Sequence, residues 1–209
     1  MYVPRHFAVD DRARILELVQ SHPLATLVTL MDGSLEATHV PVVFDADRDK
    51  HGTVRFHLAG ANPMAKVLDG TREAMLVFTG SHTYISPDWY ENENLVPTWN
   101  YAAVHVWGNP VPMEDGPLCQ LLDDLSAEQE RNIPDKRPWT SDKLPDDLYE
   151  KMRRAIVGFN MIIDRVDAKW KMSQNRTGGD RAGVVSALAA LGGEQNHAVA
   201  ATMSSLESD

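Results

Sequence analysis

The sequence predicts an α+β fold built around an antiparallel sheet, and three observations support this. Short apolar strands follow one another from residue 24 to residue 58, separated by tight turns, as in a meander. Most helical patterns come later and lie between strands, so they add to the sheet and do not alternate with parallel strands. The 209 residues show no internal repeat and no linker, which predicts one domain with a substantial core.

The first element is a predicted helix over residues 10–21. Asp10 is a suitable N-cap residue, and Pro23 ends the helical pattern. The apolar residues inside it recur at helical spacing, so one face of the helix is expected to pack against the sheet.

The predicted strands are apolar or alternating segments bounded by turn residues. They cover residues 24–30, 35–44, 53–58, 74–79, 81–86, 102–111 and 156–170. Asp32 and Gly33 predict a tight hairpin turn after the first strand, because both residues tolerate positive φ. The last strand is long enough that a bend at Gly158 is expected.

Helices are predicted where apolar residues recur at three- and four-residue spacing. They cover a short helix at residues 62–68, a helix opening at 116–117, and helices at 146–154 and 180–191. The charged, proline-containing segment 132–145 is expected to lie on the surface. The domain is predicted to span residues 1–192, and the Ala/Ser-rich residues 193–209 are expected to form a partly disordered tail.

Composition excludes several classes of protein. The formal net charge of −10 argues against a broad surface for nucleic acid. Cys119 is the only cysteine, so no internal disulfide can form, and its helical context predicts a buried small hydrophobe. The sequence contains no apolar run of membrane-spanning length and no signal peptide pattern, which predicts a cytoplasmic protein.

Two polar clusters stand out against this background. The first, TWNY at residues 98–101, is predicted as a loop at the entrance of a strand, where aromatic rings could stack on a planar ligand. The second, KMSQNR at residues 171–176, follows a strand and precedes a helix, a position where donors can meet an anion. Taken alone, the first cluster could instead be an ordinary aromatic corner. The second could be a network that caps the following helix.

Four motifs in order give the chain a family resemblance. They are MYVPRHF at residues 1–7, YISPDWY at 84–90, VPTWNYAAVHVWG at 96–108 and KMSQNR at 171–176. With these motifs the chain resembles the PaiB family, described as FMN-binding proteins and negative transcriptional regulators, from Met1 to about residue 191. That family is similar to the split-barrel flavoproteins of the pyridoxamine phosphate oxidase and flavin reductase type.

The resemblance implies a fold, a cofactor and an assembly. The expected fold is an antiparallel six-stranded split β-barrel with peripheral helices. The expected cofactor is FMN, bound at the subunit interface of a homodimer. The expected role is that of a negative transcriptional regulator, with DNA as a partner only on the strength of the family label.

The resemblance also implies where FMN lies. Residues 56–66 are similar to the strand, loop and helix that hold the phosphate in split barrels, with Gly60 permitting close backbone approach. Lys66 lies one turn inside that helix. Its positive charge would be unfavourable near the positive end of the helix dipole unless an anion were bound nearby. The second strand is expected to run along the flavin ring. The C-terminal cluster is expected to complete the site of the neighbouring subunit.

The predicted cofactor-binding residues therefore come from several segments. They are Thr38, His39, Val40, His57, Asn62, Lys66, Thr98, Trp99, Asn100, Tyr101, Lys171, Gln174, Asn175 and Arg176. Arg176 is the strongest candidate for an anionic group, because a guanidinium binds phosphate through a fork of donors. The sequence departs from the family after Arg176, where a proline is expected and Thr177-Gly178-Gly179 stands. The glycines leave the placement of Arg176 open.

No other chemistry is indicated by the sequence. His39, His57 and His105 lie on predicted strands but lack close ligand spacing and acidic neighbours, so no metal site is predicted. No Gly-x-Ser-x-Gly element and no nucleotide fingerprint is present. Any catalysis would be the redox chemistry of the flavin.

Three functions remain open from the sequence. The first is the FMN-binding regulator that the resemblance implies. The second is a flavin-dependent oxidoreductase acting on a small substrate. The third is a haem-binding or haem-degrading protein, since related split barrels include such members and strand histidines are present. Whether the protein is an enzyme is left open.

Overall fold

The computed structural model describes residues 1–206, and the chain divides into two compact units. The first unit comprises Met1–Ser21, Thr79–Val104 and the segment that begins at Asp167. The second unit comprises His22–Phe78 and His105–Val166.

Eight strands form one sheet in the described residues. They are β1 Leu24–Met31, β2 Ser34–Asp45, β3 Thr53–Ala59, β4 Ala74–Ile85, β5 Thr98–Gly108, β6 Val111–Pro112, β7 Ile156–Ile162 and β8 Arg165–Lys171. Their order is β6-β7-β3-β2-β1-β4-β5-β8. The α+β class and the antiparallel pairing are confirmed, whereas the expected strand number of six is wrong. Closure of the sheet into a split barrel stays a prediction.

The hairpin between β1 and β2 forms as the sequence predicts. Leu30 lies opposite Leu35 and Met31 opposite Ser34, so only Asp32 and Gly33 make the turn. Their φ angles are 52° and 83°, the left-handed values that a two-residue turn of this kind requires. This turn fixes the register, and therefore the residues of β2 that face outward.

The long strand predicted at residues 156–170 is two strands. The break falls at residues 163–164, where Ile163 N–H donates to Gly52 O at 3.1 Å and Asp164 N–H donates to Trp107 O at 2.9 Å. The backbone changes partner there, which ends β7. Gly158 lies in the ladder opposite His57, and the bend expected there stays a prediction.

Two other strand predictions are also corrected. Residues 74–79 and 81–86 belong to one continuous strand, β4. The cluster at 98–101 is the start of β5 and not a loop, because the strand begins at Thr98 and not at residue 102. Its side chains therefore alternate between the two faces of the sheet.

Five helices and four short 3-10 turns complete the described residues. The helices are α1 Arg12–Ser21, α2 Asp115–Glu130, α3 Asp146–Arg153, α4 Gly178–Leu191 and α5 Glu194–Ser205. The 3-10 turns are Arg5–Phe7, Pro63–Lys66, Pro87–Trp89 and Ser141–Lys143. The helix predicted at 62–68 is thus only a four-residue 3-10 turn. Asp11, and not Asp10, caps α1 by accepting from Ala13 N–H at 2.8 Å.

The stretch assigned to the tail contains helix α5. Its Val199, Ala200 and Met203 are buried, and the N–H of His82 on β4 donates to Gln195 Oε1 at 3.0 Å. The division into residues 1–192 and a tail stays a prediction. Residues 207–209 of that tail lie outside the described residues.

Within the second unit, α2 packs on one face of the sheet. Leu118, Leu121 and Leu125 form a buried cluster with Val43 of β2. A Cβ at Gly158 would lie 2.9 Å from Leu118 Cδ1, so glycine lets this helix approach β7 closely. No helix within residues 1–206 has both the length and the hydropathy needed to cross a bilayer.

Candidate functional site

Three cationic side chains lie at the end of β8 and in the turn that follows it, all in the first unit. Lys169 and Lys171 are two residues apart on the strand and so share a face of the sheet. Arg176 lies in the turn, where its N–H donates to Ser173 O at 3.0 Å. We call these three residues the cation cluster.

Lys171 is held by the start of β5. Its ammonium group donates to Thr98 Oγ1 and to Trp99 O, the latter at 2.7 Å. Burial, together with the charges of Lys169 and Arg176, lowers the pKa of Lys171 below its ordinary value. Both neighbours repel the protonated form, so an anion bound here would relieve a real electrostatic cost.

The other two cations face aromatic rings. The Lys169 ammonium lies 5.2 Å from the Tyr101 ring centroid and 5.9 Å from that of Tyr2. The Arg176 guanidinium lies 5.4 Å from the Tyr90 ring. Tyr90 Oη is buried and has no hydrogen-bond partner in the described part of the chain. A buried hydroxyl without a partner is costly, and a ligand with polar oxygens would satisfy it.

The cation cluster lacks carboxylate partners. Among residues 1–206, no Asp or Glu oxygen lies within ion-pair distance of Lys169, Lys171 or Arg176. Three unmatched cations, two of which lie beside tyrosine rings, suit an anionic, planar ligand. The donors present therefore fit a flavin phosphate or another anionic group of similar size.

The remaining predicted residues of the first unit divide by exposure. The Trp99 side chain is 55% exposed, and its ring centroid lies 6.2 Å from that of Tyr84, while Asn175 is also exposed. Asn100 is fully buried, and its amide exchanges hydrogen bonds of 3.1 Å with the Ser173 hydroxyl. Gln174 stabilises the turn after β8, because its side-chain amide donates to Trp170 O at 2.6 Å. Trp99 and Asn175 are thus free to meet a ligand, while the amides of Asn100 and Gln174 are engaged within the unit.

The start of α4 is capped by residues other than Arg176. Thr177 Oγ1 accepts from Asp180 N–H at 3.2 Å. Asp180 Oδ1 accepts from Asn92 N–H at 3.0 Å, which lowers the pKa of that buried carboxyl. A Cβ at Gly179 would lie 1.8 Å from Glu91 Oε2, which is the end of an exposed side chain, and a Cβ at Gly178 would meet no atom within 4 Å. Arg176 is therefore not part of the cap.

In the second unit, only some of the predicted residues of β2 contact the predicted residues of the loop after β3. Asn62 Nδ2 donates to Thr38 Oγ1 at 3.5 Å, a weak contact. His39 is exposed and lies opposite Thr26 of β1, while the Val40 side chain is in the core. Thr38 and His39 point to opposite faces, as expected from the strand period.

The phosphate interpretation of Gly60 and Lys66 changes in the structure. Gly60 N–H donates to Ala155 O at 2.8 Å, so the close backbone approach is to the chain itself. Lys66 is exposed and is the last residue of the short 3-10 helix Pro63–Lys66. A cation at that end has the favourable sign, so the argument from an unfavourable helix dipole is wrong.

His57 of β3 lies in the wall of a cavity. The cavity has a volume of about 480 Å³ and is lined by the outer face of β2 and β3, by α2 and α3, and by the loop that joins those helices. His57 Nδ1 is buried and has no hydrogen-bond partner in the described part of the chain. Desolvation lowers the pKa of His57, so the ring is neutral at neutral pH.

Several residues around the cation cluster and around the cavity at His57 were not predicted from the sequence. Lys169, Tyr2 and Tyr90 were not singled out individually, although Tyr2 and Tyr90 fall within the quoted motifs. The alternation of Lys169 and Lys171 on one strand was a usable signal. The cavity had no sequence signal, because α2, α3 and the loop between them come together only in the fold. No group of three or more His, Cys, Asp or Glu side chains suited to a metal occurs within residues 1–206.

The predicted set is split between the two units. Six of its members lie in the second unit, namely Thr38, His39, Val40, His57, Asn62 and Lys66. Eight lie in the first unit, namely Thr98, Trp99, Asn100, Tyr101, Lys171, Gln174, Asn175 and Arg176. The predicted Cys119 core position is also corrected, because Cys119 is only half-buried.

Comparison with known proteins gives both sequence and fold relatives. A family model described as "Putative FMN-binding domain" matches residues 1–165. The Bacillus subtilis "Protease synthase and sporulation protein PAI 2" is 35% identical over 188 residues, which cover 90% of this chain and 89% of that protein.

Solved structures share the fold at low identity. The "FAD and Heme binding protein" of Mycobacterium smegmatis is 17% identical with a TM-score of 0.56, covering 89% of this chain and 80% of that one. The flavocytochrome Anf3 of Azotobacter vinelandii is also 17% identical with a TM-score of 0.56, covering 94% of this chain and 78% of that one. At this identity the likeness concerns the fold alone.

Proposed function

The chain belongs to the FMN-binding domain family, and from this premise we propose that it is a PaiB-type FMN protein with a regulatory role. FMN is the cofactor that the family's description names. The observation that carries the proposal is the cation cluster, in which Lys169 and Arg176 face tyrosine rings and all three positive charges lack carboxylate partners within residues 1–206.

The residues of the first unit supply what FMN needs. Lys171 and Arg176 would bind an anionic oxygen, and Tyr90 Oη would donate to one. The exposed ring of Trp99 would cover a flat apolar face. When bound, FMN supplies redox chemistry that no side chain can provide. The protein's part is to hold the phosphate and to shield the ring from water.

The proposal includes a homodimer with FMN at the subunit interface. One support is an exposed face of β1 and β2 in the second unit that carries few charges. Its outward side chains are Leu24, Thr26, Val28, Leu30, Leu35, Ala37, His39 and Pro41. Leu24 is 64% exposed and Leu35 is 75% exposed. A patch of this kind usually marks an interface, and a two-fold partner would cover it with the same patch.

The dimer has a direct test. Leu35→Asp places a charge in the exposed apolar face, whereas Glu36→Gln changes the neighbouring residue without that effect. We expect light scattering to give a dimer for the parent protein and for Glu36→Gln at micromolar concentration, and a monomer for Leu35→Asp. A stable monomer in the parent protein contradicts the proposal.

The regulatory role is proposed from the relationship to PAI 2, whose name refers to protease synthesis and sporulation. With a net charge of −10, broad contact with a phosphate backbone is unfavourable. Direct DNA binding is therefore expected to be weak.

Cofactor identity is tested by reconstitution. Apo-protein is titrated with FMN, FAD and riboflavin, and bound flavin is identified by mass spectrometry after release. FMN is expected to bind most tightly, and riboflavin, which lacks the phosphate, at least ten-fold more weakly, a difference of about 1.4 kcal/mol. Equal affinity for FMN and riboflavin, or preferential retention of FAD, contradicts the proposal.

A further inference from the structure

The chain on either side of Tyr90 is anchored on helix α4, within the first unit. On one side, Asn92 N–H donates to Asp180 Oδ1 at 3.0 Å, and Asn92 Nδ2 donates to Asp180 Oδ2 at 2.9 Å. On the other side, Trp89 O lies so close to Gly183 that a Cβ there would overlap the carbonyl oxygen. Asp180 and Gly183 are three residues apart and therefore share one side of the helix. That side of α4 holds the loop at two points, with Tyr90 between them.

Asp180 depends on this loop for its own hydrogen bonds. It is only 2% exposed, and a buried carboxylate is costly unless its oxygens accept hydrogen bonds. Hydrogen bonds from the N–H and the side-chain amide of Asn92 lower the pKa of Asp180 against the opposing effect of burial, so the carboxylate is charged at neutral pH. Movement of the loop away from α4 would leave that charge without its donors. The carboxylate therefore holds Asn92 in place.

Tyr90, the residue between the two anchors, faces the cation cluster. Its ring centroid lies 5.4 Å from the Arg176 guanidinium, and the residue is 9% exposed. Its hydroxyl makes no hydrogen bond within the described part of the chain, so packing and the anchored backbone set the place of the ring. Arg176 has a long side chain, and the Tyr90 ring is one of the surfaces that limit its freedom. A shift of the loop would therefore change the position of Arg176.

We propose that Asp180 is a positioning residue of the anion site, which fixes the loop through Asn92 and thereby sets Tyr90 and Arg176 for a phosphate group. The inference rests on the proposed function, because it takes the FMN phosphate as the anion at Arg176. Asp180 itself does not touch the ligand, since its oxygens accept from the loop. The expected effect is selective for the phosphate. Trp99, whose ring is proposed to cover the flavin, lies on β5 and has no part in this anchoring.

The test compares FMN with riboflavin, which lacks the phosphate, by fluorescence titration of the full-length apo-protein well below the melting temperature of each variant. Asp180→Ala removes both acceptors for Asn92. It should weaken FMN binding about ten-fold and leave riboflavin affinity within about two-fold of the parent value. Asp180→Asn should recover most of the FMN affinity. Its side-chain oxygen still accepts from Asn92 N–H, and its amide can donate to Asn92 Oδ1 once the Asn92 amide turns over.

Two further variants control for a folding effect. Asp88→Ala makes the same change at an exposed aspartate of the same loop and should alter neither affinity. Asn92→Ala removes the side-chain hydrogen bond from the loop side and should weaken FMN alone, by about three-fold, so it serves if Asp180→Ala does not fold.

The outcomes separate this inference from the proposed function. Equal weakening of FMN and riboflavin in Asp180→Ala, unchanged FMN binding in that variant, or no recovery in Asp180→Asn would overturn the positioning role. Arg176→Ala is measured alongside. If Arg176→Ala also leaves FMN affinity unchanged, the proposed phosphate site fails. If Arg176→Ala weakens FMN binding and Asp180→Ala does not, only the role of Asp180 fails.

Discussion

Two arginines of the second unit and the three cations of the cation cluster have opposite kinds of partner. In the second unit, the Arg55 guanidinium lies 2.6 Å from Asp45 and 2.8 Å from Asp124. Arg153 of the same unit also has two carboxylates, Asp115 and Glu150. In the first unit, the cation cluster has no carboxylate within ion-pair distance in the described residues, and its members contact tyrosine rings and carbonyl groups instead.

The difference distinguishes structural charge from binding charge. A cation with two fixed carboxylates has its charge neutralised by the fold, so its loss should affect stability. A cation held against other cations is unfavourable until an anion arrives, so its loss should affect ligand binding. Variants at these positions test the distinction.

The largest effect is expected at Arg55. Arg55→Ala removes both charge-assisted contacts and leaves Asp45 and Asp124 close together, partly shielded from water. We expect a loss of roughly 3 kcal/mol in the free energy of unfolding, measured by urea denaturation. FMN affinity should be unchanged when measured well below the new melting temperature. Arg137→Ala, at an exposed arginine in the same unit, should cost less than about 0.5 kcal/mol. A loss of FMN affinity without a loss of stability would break the comparison.

Arg176 should show the reverse behaviour. Arg176→Ala is expected to weaken FMN binding roughly ten- to hundred-fold, the effect of losing one charge-assisted hydrogen bond of about 1.5–3 kcal/mol. Fluorescence titration measures the affinity, and apo-protein melting should be nearly unchanged.

The adjacent residue provides the matched control for Arg176. Thr177→Ala removes the N-cap of α4 and should cost about 1 kcal/mol of apo-protein stability, with little change in FMN affinity. If Arg176→Ala lowers apo-protein stability and leaves the dissociation constant unchanged, Arg176 is structural and the site is misassigned.

A smaller effect is expected from pH at Lys171. Burial and its two cationic neighbours lower its pKa, so in the free protein it loses its proton at a lower pH than an ordinary lysine. A bound phosphate favours the protonated form, so FMN binding takes up a proton in that range and affinity falls as pH rises. We expect a loss of up to about ten-fold on the alkaline side of neutrality.

Lys171→Arg tests the assignment of that pH dependence. Arginine stays protonated throughout, so the variant should lose the alkaline decline while it keeps FMN affinity at neutral pH. The same titrations with riboflavin correct for ionisation of the flavin ring. A decline that persists in Lys171→Arg assigns the proton to another group.

Local patterns predicted much of the fold. The Asp32-Gly33 turn was predictable because its dihedral requirement is carried by two adjacent residues. The break between β7 and β8 was not, because hydrogen bonds from residues 163–164 to Gly52 and Trp107 end the strand, and both partners are distant in sequence. The start of β5 was misread because polar aromatic residues such as Trp99 resemble a loop, although their alternation suits a strand.

The candidate site was predictable only where its members are neighbours in sequence. Lys171 and Arg176 stood out as a polar cluster, but the engagement of Asn100 with Ser173 depends on a contact across 73 positions. The same limit applies to Arg55, because nothing near it in sequence identifies Asp124 as its partner. Residue type showed which groups could bind an anion, and only tertiary contacts showed which are already neutralised.

The smallest effect is expected for DNA. The cation cluster supplies three positive charges, on a chain whose formal net charge is −10. Three phosphate contacts would give a slope of only about −2.7 for the logarithm of the binding constant against the logarithm of salt concentration. At physiological ionic strength, fluorescence anisotropy with a fragment of the protein's own promoter region should therefore show at most weak, micromolar binding. Saturating FMN should weaken it further by occupying the same cations, whereas Arg137→Ala should not alter it. Nanomolar, sequence-selective binding would mean that a second basic surface exists, and that the unmatched cations of the first unit are not the chain's main anion site.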